Sequence, residues 1–294
     1  MAGATLRALL AQPGVVRLMG AHDAIGAKIA ERAGFEGIWA SSFEISAAYA
    51  VPDASIVTQS EHLAAAQAMC AAVDIPVVSD CDTGYGDELQ FAYAVRRFEA
   101  AGVAGVCIED KQFPKLNSFL SGRQELAAVD QFVEKLRSGK RAQRNPEFVI
   151  IARVEALIAG RGEEEALLRA HAYADAGADA ILIHSKASHP GELAGVARQW
   201  KRPTPLVAVP TTYYSATADE LAELGVKIVI YANQGLRCAL QAMEQVYAEI
   251  RSTGSTASVE GRLWPMKAIF ELQGHANGQP APERARAKGA GVES

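Results

Sequence analysis

The sequence predicts an α/β fold of the (β/α)8, or TIM-barrel, class. Eight short apolar runs, each long enough for one buried strand, alternate with longer segments that are rich in Ala, Glu, Leu and Arg and have helical periodicity. Four helical segments end at a glycine that is followed at once by the next apolar run. Glycine is favoured there because it adopts the left-handed backbone conformation at low cost. Repeated helix–glycine–strand units predict a parallel sheet, and eight strands predict its closure into a barrel.

The predicted strands are spaced so that a helix fits between most of them. They are Val16–Ala21, Gly37–Ser41, Pro76–Asp80, Gly105–Glu109, Val149–Arg153, Ala180–His184, Leu206–Pro210 and Ile228–Tyr231. Helices are predicted, for example, at Glu163–Ala176 and Leu236–Ile250. A doubly wound open sheet is the alternative, but that fold usually has a glycine-rich dinucleotide-binding turn, which the sequence lacks.

The predicted barrel spans residues 1–250, and the sequence pattern changes after it. Ser252–Ser258 is small and polar, as expected of a linker. Leu263–Leu272 is apolar enough to form a helix that packs on the barrel or is swapped between subunits, so residues 251–273 are predicted to be a linker and a C-terminal helix. Residues 274–294 are rich in Gly, Pro, Ala and charge, which predicts a disordered tail.

Composition and charge exclude several classes of partner. Of 294 residues, 49% are hydrophobic, which is enough for one large core. The net charge is −5 without a basic block, which argues against nucleic acid. The four cysteines lack C-x-x-C spacing, which favours reduced thiols. No run of about 18 apolar residues and no signal-peptide pattern occurs, so we expect a soluble cytoplasmic protein that binds small molecules and no membrane.

Carboxylates stand at the carboxyl ends of two neighbouring predicted strands. Asp80 and Asp82 follow the third apolar run, and Glu109 ends the fourth. Residues two apart in an extended segment point the same way, so all three side chains are expected to face one site. Converging carboxylates repel one another unless a cation neutralises them. The set predicts a Mg²⁺ site; the alternative is that one Asp caps the next helix and the others are solvated.

Hydrogen-bond donors follow other strands at the same end of the predicted barrel. Arg153 offers a fork of N–H groups that suits phosphoryl oxygens. His184 is either a ligand-binding group or a histidine satisfied within the core. Ser41, Ser42 and Phe43 follow the second strand, where backbone N–H groups suit an enolate or carboxylate oxygen, although an ordinary turn explains them equally well.

A polar loop lies shortly after Glu109, from about Gln112 to Arg123. It contains Lys115, Asn117 and Ser118, with a proline to stiffen it and a glycine to let it bend. A hinged polar loop beside a metal site is typical of an active site that closes over an anionic substrate. Taken alone, Lys115 would be interpreted as a solvated lysine.

Several longer motifs together resemble one family. They are Gly37-Ile38-Trp39 with Ser41, Asp80-x-Asp82-Thr83-Gly84-Tyr85-Gly86, Glu109-Asp110-Lys111, Phe113-Pro114-Lys115-x-Asn117-Ser118, Ala152-Arg153-Val154-Glu155-Ala156, Ala178-Asp179-Ala180-Ile181-Leu182-x-His184-Ser185 and Val209-Pro210-Thr211. Over roughly residues 15–250 the chain resembles the phosphoenolpyruvate mutases of the isocitrate lyase / phosphoenolpyruvate mutase superfamily. The resemblance implies a Mg²⁺-dependent barrel that handles phosphonopyruvate and assembles into homodimers or homotetramers.

The resemblance also implies a role for each site residue. Asp80 would contact Mg²⁺ directly, whereas Asp82 and Glu109 would act largely through bound water. Asp53, which by itself reads as a helix cap, would lie near the metal. The pyruvate part of the substrate would meet Trp39, Ser41, Ser42 and Phe43. The phosphoryl oxygens would be held by Arg153, His184 and Asn117, while Lys115 and Ser118 belong to the gating loop.

Two activities share these features in the family. A mutase moves the phosphoryl group between the enolate oxygen and C3 of pyruvate, and a hydrolase delivers it to water. Asn117 matches the mutase pattern, whereas Glu44, Tyr49–Asp53 and Gly122–Glu125 resemble hydrolases. The family's Asn-His after the last strand is Asn233-Gln234 here.

The loop lies nearest the migrating group, so the prediction is a phosphoenolpyruvate mutase, an isomerase of phosphonate biosynthesis. Phosphonopyruvate hydrolase is the alternative, and a non-catalytic barrel that binds small acids is the second. The superfamily's lyases have a catalytic cysteine in this loop. The segment Lys115-Leu116-Asn117-Ser118 lacks it, which argues against C–C bond cleavage.

Overall fold

The computed structural model describes residues 5–120, 122, 124–276, 279 and 280. The chain divides into two compact units, Met1–Leu240 and Gln241–Ser294. None of the described helices is long and apolar enough to span a membrane.

The first unit is a closed barrel of eight parallel strands in chain order. The strands are β1 (Val16–Ala21), β2 (Gly37–Ala40), β3 (Val77–Asp80), β4 (Gly105–Glu109), β5 (Val149–Val154), β6 (Ala180–Ile183), β7 (Leu206–Ala208) and β8 (Val226–Tyr231). Each strand pairs with the next one along the chain, and β8 pairs with β1. The predicted (β/α)8 barrel is therefore confirmed. Some predicted strand ends differ: Pro76, Ser41, His184, Val209 and Pro210 lie just outside the strands. Ser41 is excluded because it is already the N-cap of the next helix.

Helices precede, connect and follow the strands. They are α1 (Leu6–Ala11), α2 (Ala24–Arg32), α3 (Ser42–Ala48), α4 (Gln59–Ala72), α5 (Glu88–Ala100), α6 (Val129–Ala142), α7 (Gly162–Asp175), α8 (Gly191–Gln199), α9 (Ala218–Glu223) and α10 (Gln234–Thr253). The four predicted helix-ending glycines, Gly34, Gly102, Gly177 and Gly225, all have positive φ angles, between 86° and 95°. The backbone there takes the conformation that only glycine adopts without strain.

Alternate residues of each strand belong to two different cores. Inward-facing residues fill the barrel, with one or two from every strand: Leu18, Trp39, Val78, Cys107, Ile151, Leu182, Val207 and Ile230. Their neighbours in the chain, such as Ile38, Val106 and Ile181, pack against the surrounding helices. This alternation follows from the two-residue period of a strand, and it decides which residues reach the centre of the barrel.

The second unit contains the rest of α10, a 3₁₀ turn at Glu260–Arg262 and helix α11 (Met266–Leu272). The C-terminal helix was predicted from Leu263 but begins at Met266. Pro265 occupies its N-cap position with extended backbone, and a residue before a proline is disfavoured in helical conformation. Beyond α11, β9 (His275–Ala276) pairs with β10 (Gln279–Pro280), and the rest of the predicted disordered tail lies outside the described residues.

Candidate active site

A cavity of about 240 Å³ opens at the carboxyl ends of the strands. Its lining includes every predicted site residue except Asp82: Trp39, Ser41, Ser42, Phe43, Asp53, Asp80, Glu109, Lys115, Asn117, Ser118, Arg153 and His184. Phe119, Val209, Thr211, Ala232, Asn233 and Arg237 complete it. The residues that sequence patterns place at strand ends therefore do converge.

The alternation of the strands explains this convergence. Asp80, Glu109, Arg153 and His184 each stand two residues beyond a side chain that fills the barrel interior. They inherit its inward direction and form the layer above the core. Asp82 was expected to continue the series from Asp80, but the chain turns at that point and Asp82 has a φ angle of 52°. The expectation that Asp80 and Asp82 alternate along one extended segment is therefore wrong.

Lys115 connects the loop after β4 to two carboxylates. Its ammonium lies 2.8 Å from Asp53 Oδ1 and 2.7 Å from Asp82 Oδ1. The side chain is buried, so the interpretation of Lys115 as a solvated loop lysine is wrong. Burial opposes its charge, but Asp82 and Asp53 more than offset that effect and raise the pKa of Lys115 well above its usual value. Burial likewise opposes ionisation of Asp82, and Lys115 nevertheless lowers the pKa of that carboxyl.

A second group of polar side chains in mutual contact consists of Arg153, Glu155 and His184. Arg153 Nε donates to Glu155 Oε1, and His184 Nδ1 lies 2.6 Å from that oxygen and 2.8 Å from Arg153 Nη2. Burial opposes the charge of Glu155, but Arg153 and His184 hold its pKa well below the usual range. Burial, and then Arg153, lower the pKa of His184. The ring is therefore neutral near pH 7.

The donor set fits a divalent cation. Within the described part of the chain, five buried carboxylates lie within 4.0 Å of three cationic groups, Lys111, Lys115 and Arg153. The carboxylates are those of Asp80, Asp82, Glu109 and Glu155, which are buried residues, and of Asp53, whose side chain is 6% exposed. With all five carboxylates and all three cationic groups ionised, the cluster has a net charge of −2. One Mg²⁺ would neutralise it. Burial also raises the pKa of Asp80 to about 7, which marks a carboxylate that lacks sufficient positive charge nearby.

The arrangement nevertheless differs from a formed metal centre. No group of three or more His, Cys, Asp or Glu side chains in the described part of the chain has the arrangement of a metal site. Glu109 Oε1 is buried and accepts no hydrogen bond from any described residue. Glu109 Oε2 lies 3.4 Å from Arg153 Nε. The Mg²⁺ site on Asp80, Asp82 and Glu109 thus stays a prediction, with a donor set that suits it.

The loop after β4 is fastened over the cavity at several points. Lys111 Nζ donates to Leu116 O at 2.9 Å and to Ser118 Oγ at 2.6 Å. Ser118 Oγ in turn donates to Glu155 Oε2 at 2.8 Å. On the other side, Lys115 N donates to Ser55 Oγ at 3.1 Å. These contacts hold the loop against the cavity, and its role as a lid stays a prediction.

Asn117 lines the cavity with an amide whose orientation is fixed at both ends. Its Nδ2 donates to Asp53 Oδ2 at 2.7 Å, and its Oδ1 accepts from the Phe119 N–H at 3.0 Å. Because an NH₂ group has two donors and Asp53 takes one, the second remains for a ligand.

The start of α3 provides backbone donors at the edge of the cavity. Ser41 caps the helix by accepting from Glu44 N at 3.3 Å. Ser42 and Phe43 are the first two helical residues, and the N–H groups of a first helical turn have no acceptor within the helix. They are therefore oriented for an anionic oxygen, as the sequence suggested.

Asp110 is a buried residue that sequence analysis did not assign to a role. It stands between Glu109 and Lys111, and alternation turns it away from the cavity towards the helices. Its Oδ2 accepts from Tyr173 OH at 2.7 Å and from Arg169 Nη1 at 3.0 Å. Its Oδ1 accepts from Glu155 N at 2.8 Å, so this outward-facing network supports the backbone of an active-site residue.

Strand patterns identify some of the remaining lining residues but not others. Val209 and Ala232 follow the inward series of β7 and β8, so alternation would have identified them. Phe119 and Arg237 lie on the loop after β4 and on α10, where strand periodicity carries no information.

The model of the phosphoenolpyruvate phosphomutase family matches residues 6–251 of the chain. The chain belongs to this family. It is therefore an enzyme of the phosphoenolpyruvate mutase / isocitrate lyase superfamily, and the family resemblance inferred from the sequence is confirmed.

Members of the phosphoenolpyruvate phosphomutase family with two different names are similar to this chain. A phosphonopyruvate hydrolase of Variovorax sp. (strain Pal2) is 46% identical over 92% of this chain and 93% of its own. The crystal structure of a phosphoenolpyruvate phosphomutase from Streptomyces platensis subsp. rosaceus is 51% identical, with a TM-score of 0.91 over 93% of this chain and 96% of its own. A crystal structure of phosphonopyruvate hydrolase with oxalate and Mg²⁺ is 45% identical, with a TM-score of 0.87 over 92% and 93%.

Proposed function

We propose that the protein is a phosphoenolpyruvate mutase that interconverts phosphoenolpyruvate and 3-phosphonopyruvate in phosphonate biosynthesis. The observation that carries the proposal is the oriented amide of Asn117, which lines the same cavity as Arg153 and His184. An amide at this place holds a phosphoryl oxygen and also fills space that an attacking water would need. The similarity to a solved phosphoenolpyruvate phosphomutase supports the proposal.

Arg153, His184 and Asn117 would bind the migrating phosphoryl group. The transition state of phosphoryl transfer is loose and spreads negative charge over three equatorial oxygens. Arg153 remains cationic, since Glu155 and Glu109 raise its pKa well above the usual value despite burial. Glu155 and Ser118 contact Arg153 and fix the direction of its donors, so little reorganisation is needed during transfer.

The pyruvate enolate left by the phosphoryl group needs stabilisation at its oxygen. The N–H groups of Ser42 and Phe43 at the start of α3 are suited to it, and Trp39 would pack against the carbon frame. Lys115 Nζ lies 3.3 Å from Ser42 Oγ, so its charge is close to the same end of the cavity. The enolate then turns so that C3 rather than oxygen faces phosphorus, or the reverse.

Asp80, Asp82 and Glu109 would hold Mg²⁺. When bound, Mg²⁺ supplies positive charge that stabilises carboxylate and enolate oxygens. The solved phosphonopyruvate hydrolase complex with oxalate and Mg²⁺ supports a divalent cation in this proposal.

Product analysis by ³¹P NMR tests the proposed activity. The protein with Mg²⁺ should convert phosphonopyruvate mainly to phosphoenolpyruvate, with little inorganic phosphate. Asn117→Ala should slow the isomerisation by about 10²–10³-fold, the usual effect of losing one preorganised charge-stabilising donor. Asn145→Ala is the matched control, because Asn145 is exposed and remote from the cavity. Phosphate as the main product of the unmodified protein would show that the mutase assignment is wrong.

Phosphonopyruvate hydrolase is the second candidate. It is favoured by the 46% identity to the Variovorax phosphonopyruvate hydrolase and by the hydrolase-like segment around Tyr49–Asp53. The same NMR experiment separates the two, because only the hydrolase accumulates phosphate together with pyruvate.

We further propose that the protein acts in the cytoplasm as a homodimer or homotetramer. Apolar side chains of the second unit are exposed, with Met266 61% and Trp264 47% accessible, which favours a protein partner for this unit. Light scattering on the purified chain measures its mass directly. A mass of 31.2 kDa across the working concentration range would contradict the oligomer.

A further inference from the structure

Phe119 is a lid residue whose contacts suggest more than packing. Its ring lies edge-on to the ring of His184, with centroids 5.9 Å apart and planes at 85°. Phe119 also lines the cavity and remains 47% exposed, whereas His184 is only 3% exposed. The ring therefore has solvent on one side and the phosphoryl-binding histidine on the other.

The turn around Phe119 is fixed by polar contacts. Leu120 N donates to Asn117 O at 3.1 Å, and Gln124 Nε2 donates to the same oxygen at 3.1 Å. The Phe119 N–H itself donates to Asn117 Oδ1. The ring is consequently held beside His184 by the same amide that is proposed to contact the phosphoryl group.

The position of the ring is unusual for an apolar side chain. Phe119 borders a cavity that contains Arg153, His184 and Glu109, and half of its surface faces water. By contrast, the equally exposed lid residues Phe113 and Leu120 do not line the cavity. A benzene ring offers water no hydrogen bond, so it excludes water from the space next to His184.

We infer that Phe119 is a specificity-determining residue that shields the phosphoryl group from water. The inference rests on the proposed mutase function. In isomerisation the P–C3 bond of phosphonopyruvate breaks, its electron pair enters the pyruvate enolate, and the enolate oxygen then bonds to phosphorus. In hydrolysis the same P–C3 bond breaks, water oxygen bonds to phosphorus and loses a proton, and C3 gains a proton to give pyruvate and phosphate. Phe119 selects the first outcome by removing the competing acceptor.

The test compares the product ratio of three variants with that of the unmodified protein. Phe119→Ala removes the ring that excludes water, and Phe119→Leu replaces it with a smaller apolar side chain. Leu120→Ala is the control on the same loop. Phosphonopyruvate and Mg²⁺ are supplied, and ³¹P NMR measures phosphate relative to phosphoenolpyruvate at early times. Phe119→Ala should raise the phosphate fraction about tenfold, as expected if the barrier to water attack falls by about 1.4 kcal/mol. Phe119→Leu should give an intermediate rise, and Leu120→Ala should leave the ratio unchanged.

The product ratio separates shielding from a general structural defect, because misfolded molecules contribute to neither product. Isomerisation by the unmodified protein with the same ratio in both Phe119 variants would overturn the inference and leave the mutase function intact. Equal loss of both products in both variants would also overturn it, since Phe119 would then serve binding alone. If phosphate is the main product of the unmodified protein, the proposed mutase function is wrong, and so is the inferred role of Phe119.

Discussion

Glu155 organises the cationic side of the cavity, although its own side chain is fully buried. It contacts Arg153, His184, Lys111 and Ser118, so one carboxylate orients groups from β5, β6 and the lid. Glu155 favours the imidazolium form of His184, but this effect is outweighed. Burial and Arg153 both disfavour the imidazolium form and lower the pKa of His184 below 6.5.

We predict that His184 in the ligand-free protein titrates below pH 6.5. Its pKa is lower in the folded protein than in the unfolded chain, so protonation costs more in the folded state. Stability that depends on the neutral ring is therefore present above pH 6.5 and lost as the pH falls through the folded-state pKa. Two-dimensional ¹H–¹⁵N NMR of the imidazole resonances measures the midpoint, with His184→Gln to assign the signal. A midpoint at or above 6.5 would contradict the prediction.

Strand-end residues were predictable from the sequence because period-two alternation carries inward direction past the end of each strand. Asp80, Glu109, Arg153 and His184 all follow this rule. The rule failed at Asp82, where the backbone takes a left-handed turn that depends on local geometry. It could not reach the Asn117–Asp53 contact, since 64 residues separate the partners and only the folded barrel brings them together.

At the scale of elements, β4 and α7 are joined through one buried side chain. Asp110 at the end of β4 accepts from Arg169 and Tyr173 on α7, and from the backbone of β5. Helix–glycine–strand repeats predicted the order of these elements, but not this network. Its partners are fixed by how the helix packs, and packing is absent from a one-dimensional pattern.

We predict that Tyr173→Phe destabilises the protein by about 1–3 kcal/mol, the cost of removing a hydrogen-bond partner from a buried polar group. Tyr93→Phe is the matched control: its hydroxyl accepts from Arg97 at 2.8 Å on an exposed helix face. The control should change the free energy of unfolding by less than about 0.5 kcal/mol. Urea unfolding followed by circular dichroism measures both, and equal effects of the two substitutions would count against the network.

At the scale of the whole molecule, the barrel places a stable core below a cluster of excess negative charge. The eight strands close without an open edge, whereas five carboxylates and three cations of the described residues form one ion-pair cluster in and beside the cavity above them. The fold and its order of strands were predicted from the sequence alone. The balance of charge was not, because it depends on tertiary contacts such as that between Lys115 and Asp82.

We predict that Mg²⁺ stabilises the folded protein by about 2.7 kcal/mol at a concentration one hundred times its dissociation constant. The cation would offset the surplus charge of Asp80, Asp82 and Glu109 in the folded state only. Thermal unfolding with MgCl₂ should show a raised midpoint that EDTA reverses, and NaCl at equal ionic strength should not reproduce it. Asp80→Asn should abolish the shift. A thermal unfolding midpoint that does not change with Mg²⁺ would contradict the predicted Mg²⁺ site.

The tripeptide Glu109-Asp110-Lys111 has a consequence for how mutations in this protein are discovered. Glu109 lines the cavity, Lys111 lies beside Glu109, and the middle residue contacts Arg169 of α7, so a single short segment joins the outer helical layer to the cavity. Screens for reduced activity should therefore return substitutions at Arg169 and Tyr173, far from any ligand. Many of these should be conditional alleles that work at low temperature and fail when warmed, because they loosen a support and leave every cavity-lining side chain in place.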